Sequence, residues 1–389
     1  MKQGDLDVLS CTPTLELGID IGKVNVVISA FTGEYDKLVQ RMGRAGRRGQ
    51  KSYVFCVFDP RDAICHYYAN HISEYLGQDH IVQINKDNQI ISEKHLNSEQ
   101  IENVASQTYD KKPLWDYANS INLRGTSGNV KIFIPGKTAV EKAVPTGYYQ
   151  LHQKALYRLN SILYEVDRFE KTKDGGKAYL KDCSIVDRNK KTIPIVRTTL
   201  TRLSETKRRD LTLKDSKLNL FYGLINLKQE ITGYYKGHKN DNIKILSKIK
   251  GQTHSNWADL VWDSKHSSIA IDLTSYLSDD VSNDDVLHTI AHVFVNAAKI
   301  VVKCDSNDID AHFDNSILYL YDNTANGANG YSKIIFEQFE NILQIGKILI
   351  QNCDCKNGCP KCIHVSGFCR TNNLDLEKQK TRTFFKKLL

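Results

Sequence analysis

The sequence predicts an α/β fold in three parts: an N-terminal α/β segment, a small β-rich barrel-like domain and a C-terminal α+β domain. Short β-branched or aromatic runs alternate with helical or loop segments near the N-terminus, which is typical of a parallel sheet. The middle of the chain holds β-like runs separated by turn signals. The last third combines helix-periodic apolar stretches with a dense cysteine cluster.

Length and composition are those of a globular protein with several domains. The 389 residues suffice for two or three domains with substantial cores, and apolar residues make up 41% of the chain. The N-terminus lacks the apolar core of a signal peptide, and apolar stretches such as Ala291–Val302 are too short to span a bilayer. We therefore expect a cytoplasmic protein with no membrane partner.

Positive charge is concentrated in two segments. The net charge is +8, and no acidic residue occurs between Lys37 and Phe58. The stretch Lys171–Lys214 carries thirteen Lys/Arg against five acids. These clusters favour a polyanionic partner such as nucleic acid, although a solvated surface would explain either one alone.

The N-terminal part reads as the end of an α/β lobe. Residues 1–75 are predicted to contain strands at Asp7–Ser10, Val24–Ala30 and Tyr53–Phe58. Residues 76–124 are polar and mixed in pattern, which favours a helical connection.

The remaining chain divides into two further units. Residues 125–250 are predicted to form a small antiparallel barrel with β-like segments at Val130–Ile134, Tyr157–Val166, Lys177–Ile185 and Thr192–Leu200. Residues 251–389 are predicted to form the α+β domain, with helices at Val286–Val302 and Ser332–Ile350 and a buried strand at Ile317–Tyr321.

The nine residues Gln40-Arg41-Met42-Gly43-Arg44-Ala45-Gly46-Arg47-Arg48 carry two glycines and four arginines. Gly43 and Gly46 would allow a tight turn close to a ligand. Arg44 and Arg47, three residues apart, are predicted to lie on one side of a helical turn, where two guanidiniums reach one triphosphate. A basic amphipathic helix is the alternative for this segment.

A second motif lies about thirty residues upstream, at Ser10-Cys11-Thr12-Pro13-Thr14-Leu15-Glu16-Leu17-Gly18-Ile19-Asp20-Ile21-Gly22. In order, spacing and flanking strands, the two segments resemble motifs V and VI of superfamily 2 DEAD/DEAH-box helicases. The resemblance covers about residues 5–65 and implies part of a second RecA-like lobe.

The resemblance implies roles for single residues. Arg44 and Arg47 would be arginine fingers that neutralise charge on the transferred phosphoryl group. The remaining assignments are nucleotide binding by Gly18, Asp20 and Gln40 and contact with the nucleic-acid strand by Thr12.

The motor also needs a phosphate-cradling loop and a Mg²⁺-holding acid. Gly136-Lys137-Thr138 does not supply the loop, because Lys131 stands where the leading glycine of the motif belongs. No Asp-Glu-x-His element occurs in the sequence. We therefore expect ATP and Mg²⁺ to bind with a first RecA-like lobe, in cis or in trans, and the chain alone to be inactive.

Cys353, Cys355, Cys359 and Cys362 have the spacing C-x-C-x₃-C-x₂-C, with turn-forming residues between two close pairs. Four thiolates with no open position predict a structural Zn²⁺ site. An iron–sulfur cluster is the alternative. Cys369 is surplus to the four ligands.

The order of motifs in the C-terminal third resembles the zinc-binding domain of MrfA/YprA-type helicases. The resemblance depends on four motifs in this order: His288-x₃-His292, Cys304–Ile309, Tyr321–Gly330 and the cysteines. This resemblance implies 3′-to-5′ translocation on DNA, single-stranded or duplex with a 3′ tail, in DNA repair. A related domain occurs in DISARM-type phage-defence helicases, so the pathway stays open.

Three alternatives remain at this point. Asp305, Asp308, Asp310, His312 and Asp314 could form a metal-dependent nuclease centre or simply a polar loop beside the preceding helix. His288 and His292 have metal-ligand spacing but no glutamate at position 289, which favours ordinary histidines. The whole chain could also be a non-enzymatic DNA-binding module from a truncated or split helicase gene.

Overall fold

A parallel pair of strands and two five-stranded sheets organise the part of the chain that the structure describes. The structure is a computed structural model. The described residues are 7–16, 24–46, 49–78, 85–86, 88–108, 128–134, 140–173, 175–183, 189–213, 216–238, 260–277, 283–305, 307–323, 329–365 and 376–389.

The N-terminal part contains the predicted parallel pairing. Strands β1 (Val26–Ala30) and β2 (Tyr53–Val57) run parallel, with Val26 opposite Tyr53 and Ala30 opposite Val57. The expected strand at Asp7–Ser10 is wrong. Val8 is 83% exposed, and none of the described residues supplies the neighbouring backbone that a ladder requires. The helices of this part are α1 (Tyr35–Met42), α2 (Ala63–Asn70), α3 (Ile72–Leu76) and α4 (Gln89–Thr108).

An aromatic cluster fastens this part to the C-terminal helices. The rings of Phe31 and Phe58 lie 5.0 Å apart, and Phe31 lies 5.2 Å from Tyr75. Tyr68 is fully buried, and its hydroxyl donates to the carbonyl of Ile300 at 3.0 Å. Residues from α1, α2 and α3 therefore share one hydrophobic core with the C-terminal part. The predicted domain boundaries stay a prediction.

The middle part is a curled, nearly closed barrel-like sheet, as predicted. Its strand order is β4-β3-β7-β6-β5, and its core includes Ile132, Leu151 and Val166. One pairing departs from an antiparallel barrel, because β3 and β7 run parallel. The elements are β3 (Asn129–Phe133), β4 (Val140–Ala143), α5 (Thr146–Leu151), β5 (Leu156–Leu159), β6 (Ile162–Thr172) and β7 (Gly175–Asp182).

The predicted single segment Tyr157–Val166 is wrong, because it is a hairpin. Asn160 and Ser161 both have positive φ, 48° and 66°, which is the geometry of a two-residue hairpin turn. Asparagine tolerates positive φ better than most residues, so Asn160 is the residue from which the sequence could have predicted this turn.

Gly175 is required where β3 and β7 meet. Its φ is +143°, and a Cβ there would lie 2.0 Å from the carbonyl oxygen of Asn129. We expect Gly175→Ala to lower the free energy of unfolding by about 1–3 kcal/mol, because the backbone must move. Denaturant titration measures this, and Lys177→Ala in the same strand is the control. An unchanged midpoint in Gly175→Ala would contradict the expectation.

The second sheet is antiparallel throughout, in the order β11-β12-β10-β9-β8. Its longest strands form one ribbon that contributes Ile231 to the barrel core and Leu218 to the C-terminal core. The predicted segment Thr192–Leu200 is thus a fragment of a much longer strand. The strands are β8 (Lys190–Leu213), β9 (Ser216–His238), β10 (Val261–Asp272), β11 (Ile309–Asp314) and β12 (Ile317–Asp322).

Helix α6 (Asn283–Val302) is the centre of the C-terminal core. The stretch Asp284–Val302 is long and apolar enough to cross a membrane, but 89% of its most apolar window is buried inside the protein. The predicted helix Ser332–Ile350 is interrupted at Gln338, whose φ of −111° separates two helices. The remaining helices are α7 (Tyr331–Glu337), α8 (Phe339–Gln351) and α9 (Lys378–Leu388).

Candidate nucleotide site and metal centre

The upstream motif begins in an extended backbone and enters a short turn. Thr12 has φ −82° and ψ −179° and is exposed immediately before the 3₁₀ turn Pro13–Leu15. The contact of Thr12 with a nucleic-acid strand stays a prediction. Gly18 and Asp20 lie outside the described residues, so their nucleotide contacts stay predictions.

Helix α1 presents Gln40 to solvent and ends before Arg44, the first of the two predicted arginine fingers. Its buried residue is Leu38, which packs into the core. Helix α1 ends at Met42, so Arg44 lies beyond the helix, and Gly46 has φ +70°. A left-handed glycine here ends the helical repeat. The predicted placement of Arg44 relative to Arg47 stays a prediction.

Hydrogen bonds hold the turn after α1 against Val24, which precedes β1. The backbone N–H of Gly46 donates to Val24 O at 3.2 Å, and the Gln50 side chain donates to the same oxygen at 2.9 Å. A Cβ at position 46 would lie 2.7 Å from the hydroxyl oxygen of Ser52. Arg44 Nε lies 3.4 Å from Gln40 O. Arg47 lies outside the described residues, and its role as a finger stays a prediction.

Arg41 joins the two motifs, which sequence reasoning missed. Its Nε donates to the Glu16 carboxylate at 2.6 Å, and its Nη1 donates to Ser29 Oγ at 2.9 Å and Ala30 O at 3.0 Å. The guanidinium therefore holds the end of the upstream motif against β1. The composition of four arginines in nine residues gave no sign that this one supports the fold.

The parallel pair exposes a continuous apolar face. Ile28 and Phe55 are direct partners in the ladder and are 71% and 54% exposed. Apolar neighbours extend the same face on both sides: Val26, Tyr53 and Val57. Parallel sheets are normally covered on both faces, so this face is suited to further polypeptide.

The four predicted cysteines converge in the structure. Their ligand atoms all lie within 4.8 Å of one another. The Sγ–Sγ distances are 3.5 Å for Cys353–Cys359, 3.6 Å for Cys355–Cys362 and 3.8 Å for Cys359–Cys362. A tetrahedral Zn²⁺ with bonds of about 2.3 Å separates its sulfurs by about 3.8 Å. The three distances are close to that spacing, so the arrangement of the thiols fits zinc. Cys369 lies outside the described residues.

Lys378, in the C-terminal helix α9, contacts this centre directly. Its side chain is buried, with the residue 1% exposed, and its Nζ donates to Cys353 O at 2.6 Å, Cys355 O at 2.9 Å and Cys355 Sγ at 3.0 Å. Burial opposes ionisation of the Cys355 thiol, but hydrogen bonds from Lys378 and the neighbouring thiols lower its pKa to about 7. A buried ammonium beside thiolates also offsets the negative charge of a four-thiolate site.

We expect Lys378→Met to weaken zinc binding by about 10- to 100-fold, because outer contacts orient the ligands and stabilise their charge. Competition against a chromogenic zinc chelator measures this directly. Lys380→Met removes an exposed lysine from the same helix and is the matched control. Equal zinc affinity in the two variants would contradict the supporting role.

His292 and Asn296 of α6 support the residues that follow the last cysteine ligand. His292 Nδ1 donates to Ile363 O at 3.2 Å, and the Asn296 amide donates to His364 O at 3.2 Å. Burial, together with the nearby His288, lowers the pKa of His292 to about 3, so the ring is neutral. The described His, Cys, Asp and Glu residues contain one group of three or more converging ligand atoms, the four thiols.

The acidic residues after α6 are divided between a loop and a strand. Asp305 pairs with Lys37 at 2.5 Å, and its backbone N–H donates to the Asp308 carboxylate at 3.2 Å. Burial raises the pKa of Asp308 to about 6. Asp310, His312 and Asp314 belong to β11. A nuclease centre finds no support in this arrangement, since the described carboxylates do not converge with other ligands.

Two protein families match separate ends of the chain. The helicase conserved C-terminal domain matches residues 1–49, and the MrfA Zn-binding domain matches residues 290–363. The chain is 24% identical over 415 residues to the ATP-dependent helicase YprA of Bacillus subtilis (strain 168), which covers 93% of this chain and 52% of YprA.

Solved structures show the same fold. A crystal structure of the DUF1998 helicase MrfA has a TM-score of 0.57 at 20% identity and covers 95% of this chain and 54% of MrfA. MrfA bound to DNA has a TM-score of 0.51 at 21% identity and covers 97% of this chain and 53% of MrfA. The chain spans about half the length of these relatives. It is therefore similar to the C-terminal part of superfamily 2 helicases of the MrfA/YprA type, with a zinc-binding C-terminal domain.

Proposed function

We propose that this chain is the C-terminal portion of an ATP-dependent DNA helicase or translocase. Its partner substrate is DNA, single-stranded or duplex with a 3′ tail, on which the complete motor moves 3′ to 5′. DNA repair and phage defence are the two processes that fit such a motor, and the cytoplasm is its proposed location.

In this proposal the first RecA-like lobe holds ATP and Mg²⁺, and the present chain completes the site across the lobe boundary. Arg44 and Arg47 supply positive charge to the transferred phosphoryl group. The zinc centre is structural, because four thiolates leave no position for a reacting water. The other assigned contacts are nucleotide binding by Gly18, Asp20 and Gln40 and DNA binding by Thr12.

The observation that carries the proposal is the exposed apolar face of β1 and β2. Ile28 and Phe55 are more exposed than residues on a parallel sheet that is covered on both faces. The remainder of the motor is the covering partner that this placement favours.

The test is reconstitution. A first RecA-like lobe that carries a phosphate-cradling loop is supplied in cis or in trans, and DNA-stimulated ATP hydrolysis is measured together with unwinding of a 3′-tailed duplex. Restored hydrolysis supports the motor. DNA binding without any restored hydrolysis would instead favour a non-enzymatic DNA-binding module.

A further inference from the structure

The outer face of the β8–β9 ribbon carries two arginines on one aromatic ring. The guanidinium carbon of Arg202 lies 4.8 Å from the centroid of the Phe221 ring, and that of Arg208 lies 5.2 Å from it. We call Arg202, Arg208 and Phe221 the basic-aromatic platform. No residue of the platform takes part in the nucleotide or zinc sites described above.

Two β-bulges create this arrangement. Arg202 pairs with Ile225 and Arg208 pairs with Phe221, so six residues of β8 span only four of β9. The register shifts fall between Arg202 and Ser204 and between Glu205 and Lys207. Bulges bend and re-aim a strand, which here brings both arginines to one ring.

Gly223 permits the bulges. A Cβ at this position would lie 2.0 Å from the carbonyl oxygen of Ser204 and 2.9 Å from its carbonyl carbon. The close backbone approach therefore requires glycine. Two of the three register shifts in the β8–β9 pairing therefore lie beside the platform, and the third lies between Ile195 and Val196.

Both guanidiniums remain open to a ligand. The side chains of Arg202 and Arg208 are 36% and 57% exposed. Their ion pairs with Glu205, at 3.8 Å, and Asp210, at 3.4 Å, lie at the surface, where such pairs contribute little and exchange readily.

The strand as a whole is strongly basic. Its acids are Glu205 and Asp210, and its basic residues are Lys190, Lys191, Arg197, Arg202, Lys207, Arg208 and Arg209. Of these, Arg209 has a structural use, because it donates to Phe336 O and Glu337 O. Charge complementarity thus favours a polyanion over a basic or apolar surface.

We propose that the basic-aromatic platform binds single-stranded DNA. Phe221 holds the two guanidiniums at fixed places, their N–H groups bond backbone phosphates, and their planar faces stack with unpaired bases. Base faces are hidden inside a duplex, which is why a single strand suits the platform better. This proposal rests on the proposed DNA-processing function and adds a contact outside the motor lobes.

The first test measures the salt dependence of binding to a fluorescent oligo-dT strand by anisotropy. We expect Arg202→Gln with Arg208→Gln to reduce the slope of log K against log salt by about 1.4, since each phosphate contact contributes about 0.7 for single strands. Lys386→Gln with Lys387→Gln removes the same charge from the exposed side of α9 and should leave the slope unchanged.

The second test separates positioning from general stability. Phe221→Leu keeps an apolar side chain but no ring, and we expect about tenfold weaker binding, whereas Phe221→Tyr should bind like the parent protein. Thermal melting of each variant establishes that it is folded. Equal affinity of the leucine and tyrosine variants would overturn the positioning role of Phe221.

The outcomes distinguish the platform from the function on which it rests. If the parent protein binds oligo-dT and the double arginine variant has the same slope of log K against log salt, the platform proposal is wrong. The DNA-processing proposal is then unaffected. Parent protein with no affinity for oligo-dT would overturn both. If binding depends on the two arginines but is seen only with duplex DNA, the assignment of single-stranded DNA as the ligand is overturned.

Discussion

Cys359→Ser is expected to lose its bound zinc and to melt at a markedly lower temperature than the parent protein. Structural zinc contributes an apparent binding free energy of about 10–16 kcal/mol in small zinc domains, and serine cannot replace a thiolate ligand. The sulfur of Cys359 lies 3.5 Å from that of Cys353 and 3.8 Å from that of Cys362, so its loss leaves the zinc with three of its four ligands. Metal analysis of the purified protein and differential scanning calorimetry measure the two effects.

The structural damage should extend beyond the cysteine loop. Cys362 and Ile363 are completely buried and belong to the C-terminal core, and Lys378 ties the loop to α9. Cys11→Ser, at an exposed cysteine, is the matched control and should keep its metal and melting temperature. Full zinc content in Cys359→Ser would contradict the assignment, and iron with a visible absorption band would favour the iron–sulfur alternative.

Arg47→Ala is expected to abolish ATP hydrolysis by the reconstituted motor, with a loss of about 10³-fold or more. Arginine fingers contribute on the order of 10³–10⁵ in rate, because they neutralise charge that develops only in the transition state. Arg44→Ala should reduce hydrolysis as well. Steady-state hydrolysis at saturating ATP and DNA measures these losses, while DNA affinity should stay close to that of the parent motor.

Two control variants distinguish this catalytic loss from structural loss. Arg41→Gln breaks the contacts with Glu16 and Ser29 and should lower the melting temperature. Arg61→Gln, at a side chain 82% exposed, should affect neither stability nor hydrolysis. Undiminished hydrolysis in both Arg44→Ala and Arg47→Ala would remove the arginine-finger assignment.

The zinc centre could be predicted from sequence because its information is local. Cys353 and Cys362 lie nine residues apart, and Gly358 adopts φ +93° between the two pairs, as a turn-forming glycine should. Short spacing leaves the chain few ways to bring four thiols together other than around a metal. Lys378 gave no such signal, since its three bonds to the loop depend on how α9 packs in the core.

The arginine motif shows the limit of pattern reasoning. Its composition and its spacing from the upstream motif carry the helicase resemblance, which the family matches support. The pattern did not predict that α1 ends at Met42, before Arg44, or that Gly46 adopts φ +70°. Glycine permits several backbone states with similar energies, so sequence does not specify which one the surroundings select.

By itself the sequence determined the α/β character of the N-terminal part, the barrel-like middle, the metal centre and the helicase kinship, all of which depend on periodicity or short spacing. The tertiary structure decided which residues meet over long separations. It placed Arg41 on Glu16, Tyr68 on Ile300, and Arg202 and Arg208 on Phe221. These contacts follow from strand register, bulges and core packing, which depend on the whole chain at once and leave little trace in any local pattern.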